Sequence, residues 1–197
     1  MTLGLHSKII FSSFAGSKLK KKLQSEHLKR QYGAKSAGAE AVVHTFQQVI
    51  SQNPDYDVFS ADAVKAFYNL NRDITMRKLK DVAPQVFNFF MDKHDNSANA
   101  FFFGLARGVA TFKQTEGGAP GSPEMSFLYE LGISDFVQNI ADLISDPNSS
   151  QPRKGVVAGY MDDSRWAAPF AKMVDVINFV KPTSLRLYAF IEMVAHS

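Results

Sequence analysis

Apolar positions recur every three or four residues in some stretches of the chain and alternate in others, and that change of period marks out the elements. Between Gly16 and Arg30, Leu19, Leu23 and Leu28 form one stripe while lysines fill the other faces, which predicts an amphipathic basic helix broken at Tyr32-Gly33-Ala34. From Ala39 to Ile50, Val42, Val43, Phe46, Val49 and Ile50 give a second helix, ended by Asn53-Pro54. Tyr56 to Ala61 alternates and is rich in strand-favouring residues, so a short strand is expected to deliver Asp62 at its end. Helices are expected from Thr75 to Lys80 and from Pro84 to Lys93. A polar loop from Asp92 to Asn99 follows, then one or two strands from Ala100 to Lys113 with bends at Gly104 and Gly108. Glu116 to Pro123 is too rich in Gly and Pro for regular structure, but it ends on a helix start, with Ser122 as N-cap and Pro123 as the first helical residue. Met125, Leu128, Leu131, Phe136, Ile140 and Ile144 follow at helical intervals, and Asp146 to Lys154 reads as a polar loop. Val156 to Met161 and Arg165 to Ala168 read as two strands of a hairpin with Asp162-Asp163-Ser164 at its tip. A last helix covers Pro169 to about Val180. Helices and strands interleave without the regular alternation of a doubly wound sheet, which makes the fold class α+β.

The 197 residues suffice for one sizeable domain or two sub-domains sharing a core, and 45% hydrophobic with 21% charged residues is the balance of an ordinary folded protein. Seventeen Phe, many in the runs at 87–90 and 101–103, argue for a packed interior. The absence of Cys removes disulfides and thiolate metal sites. No apolar run approaches the roughly 18 residues of a membrane span. The apolar Ile9-Ile10-Phe11 precedes the basic cluster instead of following it, so no signal peptide is read and a soluble, intracellular protein (nuclear or cytoplasmic) with no membrane contact is expected. The net charge of +3 is unevenly placed: residues 1–35 hold eight Lys and Arg against the single Glu26. A basic segment on a mildly acidic body fits a protein that holds a polyanion in one place and keeps carboxylates for something else; a solvated lysine-rich helix face is the plainer alternative.

Three carboxylates carry the candidate chemistry: Asp62 at a strand end, and Asp162 with Asp163 at a hairpin tip. If the two strands are antiparallel neighbours, their carboxylates meet at one edge, where they repel unless a cation sits among them. Mg²⁺ suits such a set, since it takes few protein carboxylates and completes its shell with phosphate oxygens and water. Asp-Asp-Ser is also an ordinary turn, and Asp62 could cap a helix. The stretch from Asp92 is not a calcium loop, because Ser97 and Phe103 occupy the positions that need Gly and Glu. The His residues lack metal-ligand spacing and no Gly-x-Ser-x-Gly elbow exists, which leaves hydrolase chemistry unsupported.

With these residues in view, the chain resembles the reverse transcriptases of retroelements, especially the non-LTR type. Phe59-Ser60-Ala61-Asp62-Ala63-Val64-Lys65-Ala66-Phe67 resembles the family's first palm motif, an Asp followed five residues later by an aromatic. Tyr160-Met161-Asp162-Asp163 is similar to its Tyr-x-Asp-Asp box, and Gly117-Gly118-Ala119-Pro120-Gly121-Ser122-Pro123 to its Gln-Gly-x-Pro-x-Ser-Pro loop, with Gly117 where the family has Gln. Gln31-Tyr32-Gly33-Ala34-Lys35, followed by Glu40 and His44, resembles the fingers motif upstream. The resemblance implies an RNA-directed DNA polymerase that adds deoxynucleotides to a primer 3′-hydroxyl, with Mg²⁺ or Mn²⁺ as cofactor and an RNA or DNA template-primer as partner. It implies partial fingers over 1–54, a palm (antiparallel sheet with packed helices) over 55–181 with a fingers segment at about 75–113, an atypical tail over 182–197, and no thumb. Asp62, Asp162 and Asp163 would be catalytic metal ligands. Phe67, Gly118, Pro120, Ser122 and Tyr160 would shape the nucleotide site, with Phe67 excluding a 2′-hydroxyl. Lys18, Lys20, Lys21, Lys22, Lys29, Arg30 and Lys35 would hold phosphates. A catalytically inactive remnant that only binds nucleic acid is the alternative implied by Gly117 and the missing thumb.

Overall fold

The alternation that begins at Tyr56 runs on through Asp62, as strand β1 (Tyr56–Ala63), and this strand organises the chain. The computed structural model describes residues 13–21, 30–63, 65–96, 99–104, 108–113, 116–118, 121–122, 124–145, 155–187 and 191–196. In it β1 pairs antiparallel with β5 (Asp163–Pro169) on one side and β6 (Ile191–His196) on the other. Outside β5 lies β4 (Val156–Tyr160), also antiparallel, so the sheet order is β4-β5-β1-β6. A separate two-stranded sheet pairs β2 (Asn99–Gly104) antiparallel with β3 (Gly108–Lys113), so the stretch read as one or two strands is two, with Gly104 and Gly108 at their facing ends.

Residues 13–21 form helix α1, followed by α2 (Gly38–Gln52), α3 (Ala66–Asn69), α4 (Arg72–Val82) and α5 (Pro84–Asn96). After the glycine-rich segment come α6 (Met125–Gly132), α7 (Ser134–Ile144) and α8 (Phe170–Leu187). Where the chain must stop a helix or begin one, local bonds explain it. The Asn53 backbone N–H and side-chain amide both donate to the Val49 carbonyl, each at 2.9 Å, and close α2. Asn71 Oδ1 accepts from the Ile74 N–H at 3.0 Å and caps α4.

Period-two alternation divides the sheet between two interiors. One face sends Phe59, Ala61, Val157, Trp166 and Ala168 into the main core, with Leu128, Phe136 and Ile140 from α6 and α7 and with Met173 and Val176 from α8. The other face sends Tyr56, Ala158 and Ala167 against Val42 and Phe46 of α2. Leu19 of α1, Leu79, Phe90 and Ile140 are fully buried, and each such side chain contributes about 1.5–3 kcal/mol. No described helix is long and apolar enough to cross a membrane.

Four expectations need correction. The stretch from Asp92 is not a loop: α5 continues to Asn96, because Lys93 pairs with the buried Glu124 and His94 is buried 6.5 Å from the Phe90 ring. Ser122 is not the N-cap of the next helix. Glu124 holds that position without a side-chain cap bond, and the Ser122 carbonyl accepts from the Met125 N–H at 3.0 Å. The single helical run after Met125 is two helices, divided at Ile133. The last helix extends beyond Val180 to Leu187, and the segment read as an atypical tail supplies β6. The expected basic helix is present over 13–21; its continuation over 22–29 and the loop over 146–154 lie outside the described residues.

Candidate active site

Because successive side chains on a strand alternate, Val58, Ser60 and Asp62 share one face of β1, and Asp163, Arg165 and Ala167 the corresponding face of β5. Helix α2 covers this face around Val58 and Ala167, while at the other end Asp62 and Asp163 are exposed. The register sets Tyr160 opposite Asp163, Asp163 opposite Asp62, and Asp62 opposite Glu192. One row across the sheet therefore reads Tyr160, Asp163, Asp62, Glu192. The sequence pattern supplied the first three, and only the pairing of β6 adds the fourth register position.

Two carboxylates directly opposite each other on antiparallel strands repel. The Asp163 carboxyl is accordingly held above its ordinary range, first by partial burial, then by the charges of Asp162 and Asp62, with Arg165 pulling the other way. Asp162 occupies the turn between β4 and β5 beside Met161, whose φ of 56° is the left-handed conformation that non-glycine residues seldom adopt. Asp162 also lines a small pocket with Ala61, Ala63, Tyr129 and Phe136, on the sheet face opposite to Asp62. The three aspartates thus gather at one strand end from both faces. Among the described residues no group of three or more acidic or His side chains is arranged as a metal cluster. The donor chemistry nonetheless fits Mg²⁺ or Mn²⁺: hard carboxylate oxygens in a surplus of negative charge, too few to form a cage without a substrate's phosphates.

The glycine-rich segment docks close by. The Gly117 N–H donates to the Leu70 carbonyl at 2.8 Å and the Gly118 N–H to the Phe67 carbonyl at 2.7 Å, which ties this segment to α3, just past Asp62. Arg72 clamps it from behind, with Nε donating to the Gly117 carbonyl at 2.5 Å and a terminal nitrogen to the His94 carbonyl at 3.0 Å. Gly117 has φ 62°, and a Cβ there would stand 2.2 Å from the carbonyl oxygens of Phe67 and Tyr68. Glycine at this position is thus a requirement of the local backbone. Phe67 is half-buried and meets Tyr129 edge to face at 5.7 Å. Pro120 lies outside the described residues.

Of the candidate phosphate-binding residues, Lys18 and Lys21 are exposed on α1 and Lys20 is half-buried, with Lys18 Nζ 5.5 Å from the Phe14 ring. Lys22 and Lys29 lie outside the described residues. Arg30 donates to Gln138 Oε1 at 2.7 Å. Lys35 Nζ sits 3.8 Å from the Tyr32 ring centre, and its pKa is lowered by burial, against the attraction of Glu130. Segment 30–35 is bound to β4, the Tyr32 N–H donating to the Gly159 carbonyl at 2.8 Å and the Gly159 N–H to the Arg30 carbonyl at 2.9 Å.

Sequence reasoning missed Glu130. It lies on α6, is 0% exposed, and accepts from the Gly33 N–H at 2.8 Å and the Met161 N–H at 3.4 Å through the same oxygen. Burial pushes its carboxyl up to about 7, against the pull of the Met161, Gly33 and Ala34 amides and the Lys35 charge. The available signal was its place between Tyr129 and Leu131, which leaves it no free helix face.

No family model matches the sequence, and no curated protein does. Solved structures do. Apo telomerase from Candida tropicalis superposes with a TM-score of 0.72 at 9% identity, covering 94% of this chain and 37% of that one. Candida tropicalis telomerase in complex with a TWJ fragment of telomeric RNA gives 0.71 at 10%, covering 98% and 33%. Candida albicans telomerase with a TWJ fragment gives 0.66 at 12%, covering 94% and 35%. The chain therefore spans about a third of the length of each of these telomerase chains. At such identities the likeness is one of fold: this chain shares its fold with part of each of these telomerase chains.

Proposed function

We propose that this chain is the fingers and palm portion of an RNA-directed DNA polymerase that extends a primer 3′-hydroxyl with deoxynucleotides. The observation that carries the reading is the row Tyr160, Asp163, Asp62 at the open end of the sheet, with Asp162 on the strained turn beside it. An antiparallel sheet that brings residues so far apart in sequence to one edge supports the ordered boxes read from the chain. In this reading residues 1–54 belong to the fingers, 55–181 to the palm with its inserted fingers segment, and 182–197 to the palm's far edge. The non-LTR retroelement type is the finer part of the proposal and rests on the sequence boxes.

Asp62, Asp162 and Asp163 would hold the divalent cations. Bound there, Mg²⁺ or Mn²⁺ supplies the Lewis acidity that activates the 3′-hydroxyl and stabilises the departing pyrophosphate. The chain's own residues do the rest. The Phe67 ring, braced by Tyr129, walls off the space that a 2′-hydroxyl would need. Gly118, held against α3 by its bond to the Phe67 carbonyl, would form the floor next to that wall, with Ser122 further along the same segment. Lys35 and the α1 lysines neutralise template or triphosphate phosphates through salt-dependent contacts.

Primer extension on an RNA template is the test. Incorporation that is lost in Asp162→Asn supports the proposal, and incorporation unchanged by that substitution overturns it. A second reading is favoured by Gly117, which replaces the side chain that the family uses in this loop: a remnant that binds nucleic acid without turnover. Salt-dependent RNA binding that weakens when Lys20 and Lys21 are replaced, with no incorporation under any metal, would distinguish it.

A further inference from the structure

A carboxylate removed from water must find hydrogen bonds or a counter-charge, or it destabilises the fold. Glu130 finds both in two pieces of chain that are far apart in sequence. Its Oε1 takes the Gly33 N–H at 2.8 Å and the Met161 N–H at 3.4 Å, while Oε2 is buried without a hydrogen bond. The approach is possible only because residue 33 is glycine: a Cβ there would stand 2.3 Å from Oε1. Segment 30–35 is fixed to β4 at Gly159, so the carboxylate closes a second tie just beyond that strand, at the turn.

Met161 is where such a tie matters. A non-glycine residue at φ 56° stays there only when its surroundings hold it, and the next residue is Asp162. We propose that Glu130 is the positioning residue of the Asp162 turn, using one buried oxygen to lock the Met161 backbone to the arm that carries Lys35. The two ends of the reaction centre, the carboxylates and the cation that would meet the phosphates, are then set by one side chain that touches neither substrate nor metal. The tie stands on geometry alone; its catalytic consequence rests on the polymerase reading.

The test compares Glu130→Gln, which keeps an acceptor oxygen, with Glu130→Met, which keeps the volume and removes the acceptor. Amide hydrogen exchange in the 197-residue chain is followed by NMR at Gly33 and Met161. Exchange at both amides is expected to rise about tenfold in Glu130→Met and to stay near wild type in Glu130→Gln. Gly33→Ala, which drives Oε1 away, is expected to speed exchange at Met161 in the same way. Met161 exchange that is unchanged in both Glu130→Met and Gly33→Ala overturns the proposal. In primer extension, Glu130→Met lowers kcat about tenfold with the nucleotide KM little changed, and Glu130→Gln restores it. A wild-type chain with no incorporation would sink the polymerase reading alone, since the exchange data decide the tie by themselves.

Discussion

Replacing Glu130 by Gln removes one ionisation and keeps the shape, which isolates what that carboxylate does to stability. Burial holds the folded group at about 7, against an ordinary value of 4.5. A difference of that size, at about 1.4 kcal/mol per pH unit, corresponds to about 3 kcal/mol. Between pH 4.5 and 7 the unfolded chain has released the proton that the folded chain retains. The folded state therefore binds more protons, and stability falls as pH rises: the contribution is fully present below 4.5 and lost through about 7. His94 acts in the opposite sense. Its imidazole is held down at about 4 by burial, so the folded state resists protonation and stability is lost as pH falls from 6.5 towards 4. The two slopes largely cancel in the wild type. Urea denaturation at a series of pH values, read by fluorescence of the single, fully buried Trp166, separates them. The stability of the wild type relative to Glu130→Gln is expected to fall by about 3 kcal/mol from pH 4.5 to 7.5. The variant alone should become more stable with rising pH, with His94 unopposed. Parallel curves for the two proteins would refute the reasoning.

Gly117→Gln introduces the residue found in the reverse-transcriptase loop that this segment resembles, yet it forces a side chain onto φ 62° and onto the Phe67 and Tyr68 carbonyls; a fall in Tm of about 5 °C by differential scanning calorimetry is expected. Lys93→Met leaves the fully buried Glu124 carboxylate without its ion-pair partner and should cost about 3 kcal/mol in guanidinium denaturation, most of it recovered when Glu124→Gln is added. Phe67→Val opens the space beside Tyr129, and on the proposed polymerase reading competition between deoxyribonucleotides and ribonucleotides in primer extension should show discrimination reduced about tenfold.

Much of this architecture is legible where the period of the sequence is clear. The stripe from Val42 to Ile50, the alternation from Tyr56 and the hairpin around Met161-Asp162 each encode an element directly, because one face of each must be apolar. The encounter of Asp62 with Asp163 followed from the boxes and was borne out by the register. What escaped is set by tertiary partners. Asp92 to Asn96 looks like a loop because it is polar, and it is helical because Lys93 and His94 have buried neighbours supplied from elsewhere. Ser122 has the chemistry of a cap, but the helix starts later, where Glu124 is drawn to Lys93. Glu130 is invisible to periodicity, since α6 is buried nearly all round and one oxygen of its carboxylate is bonded to backbone from 33 and 161. The strand β6 carries no turn signal before it, and only its pairing with β1 identifies it.

The position of β1 in the sheet has a consequence for how the chain acquires its structure. Both of its neighbours, β5 and β6, come later in the sequence, and the partner of Asp62 is made roughly a hundred residues afterwards. At ribosomal speeds of about 5–20 residues per second, β1 waits on the order of 5–20 s with both edges open before either partner emerges. The β4–β5 hairpin with α7 and α8 is assembled from nearby segments, whereas insertion of β1 must close a long loop. During that interval Tyr56 and Phe59, which end buried, sit on a strand whose sheet partners are not yet made. The pairing of Asp62 with Asp163 therefore cannot precede the synthesis of β5.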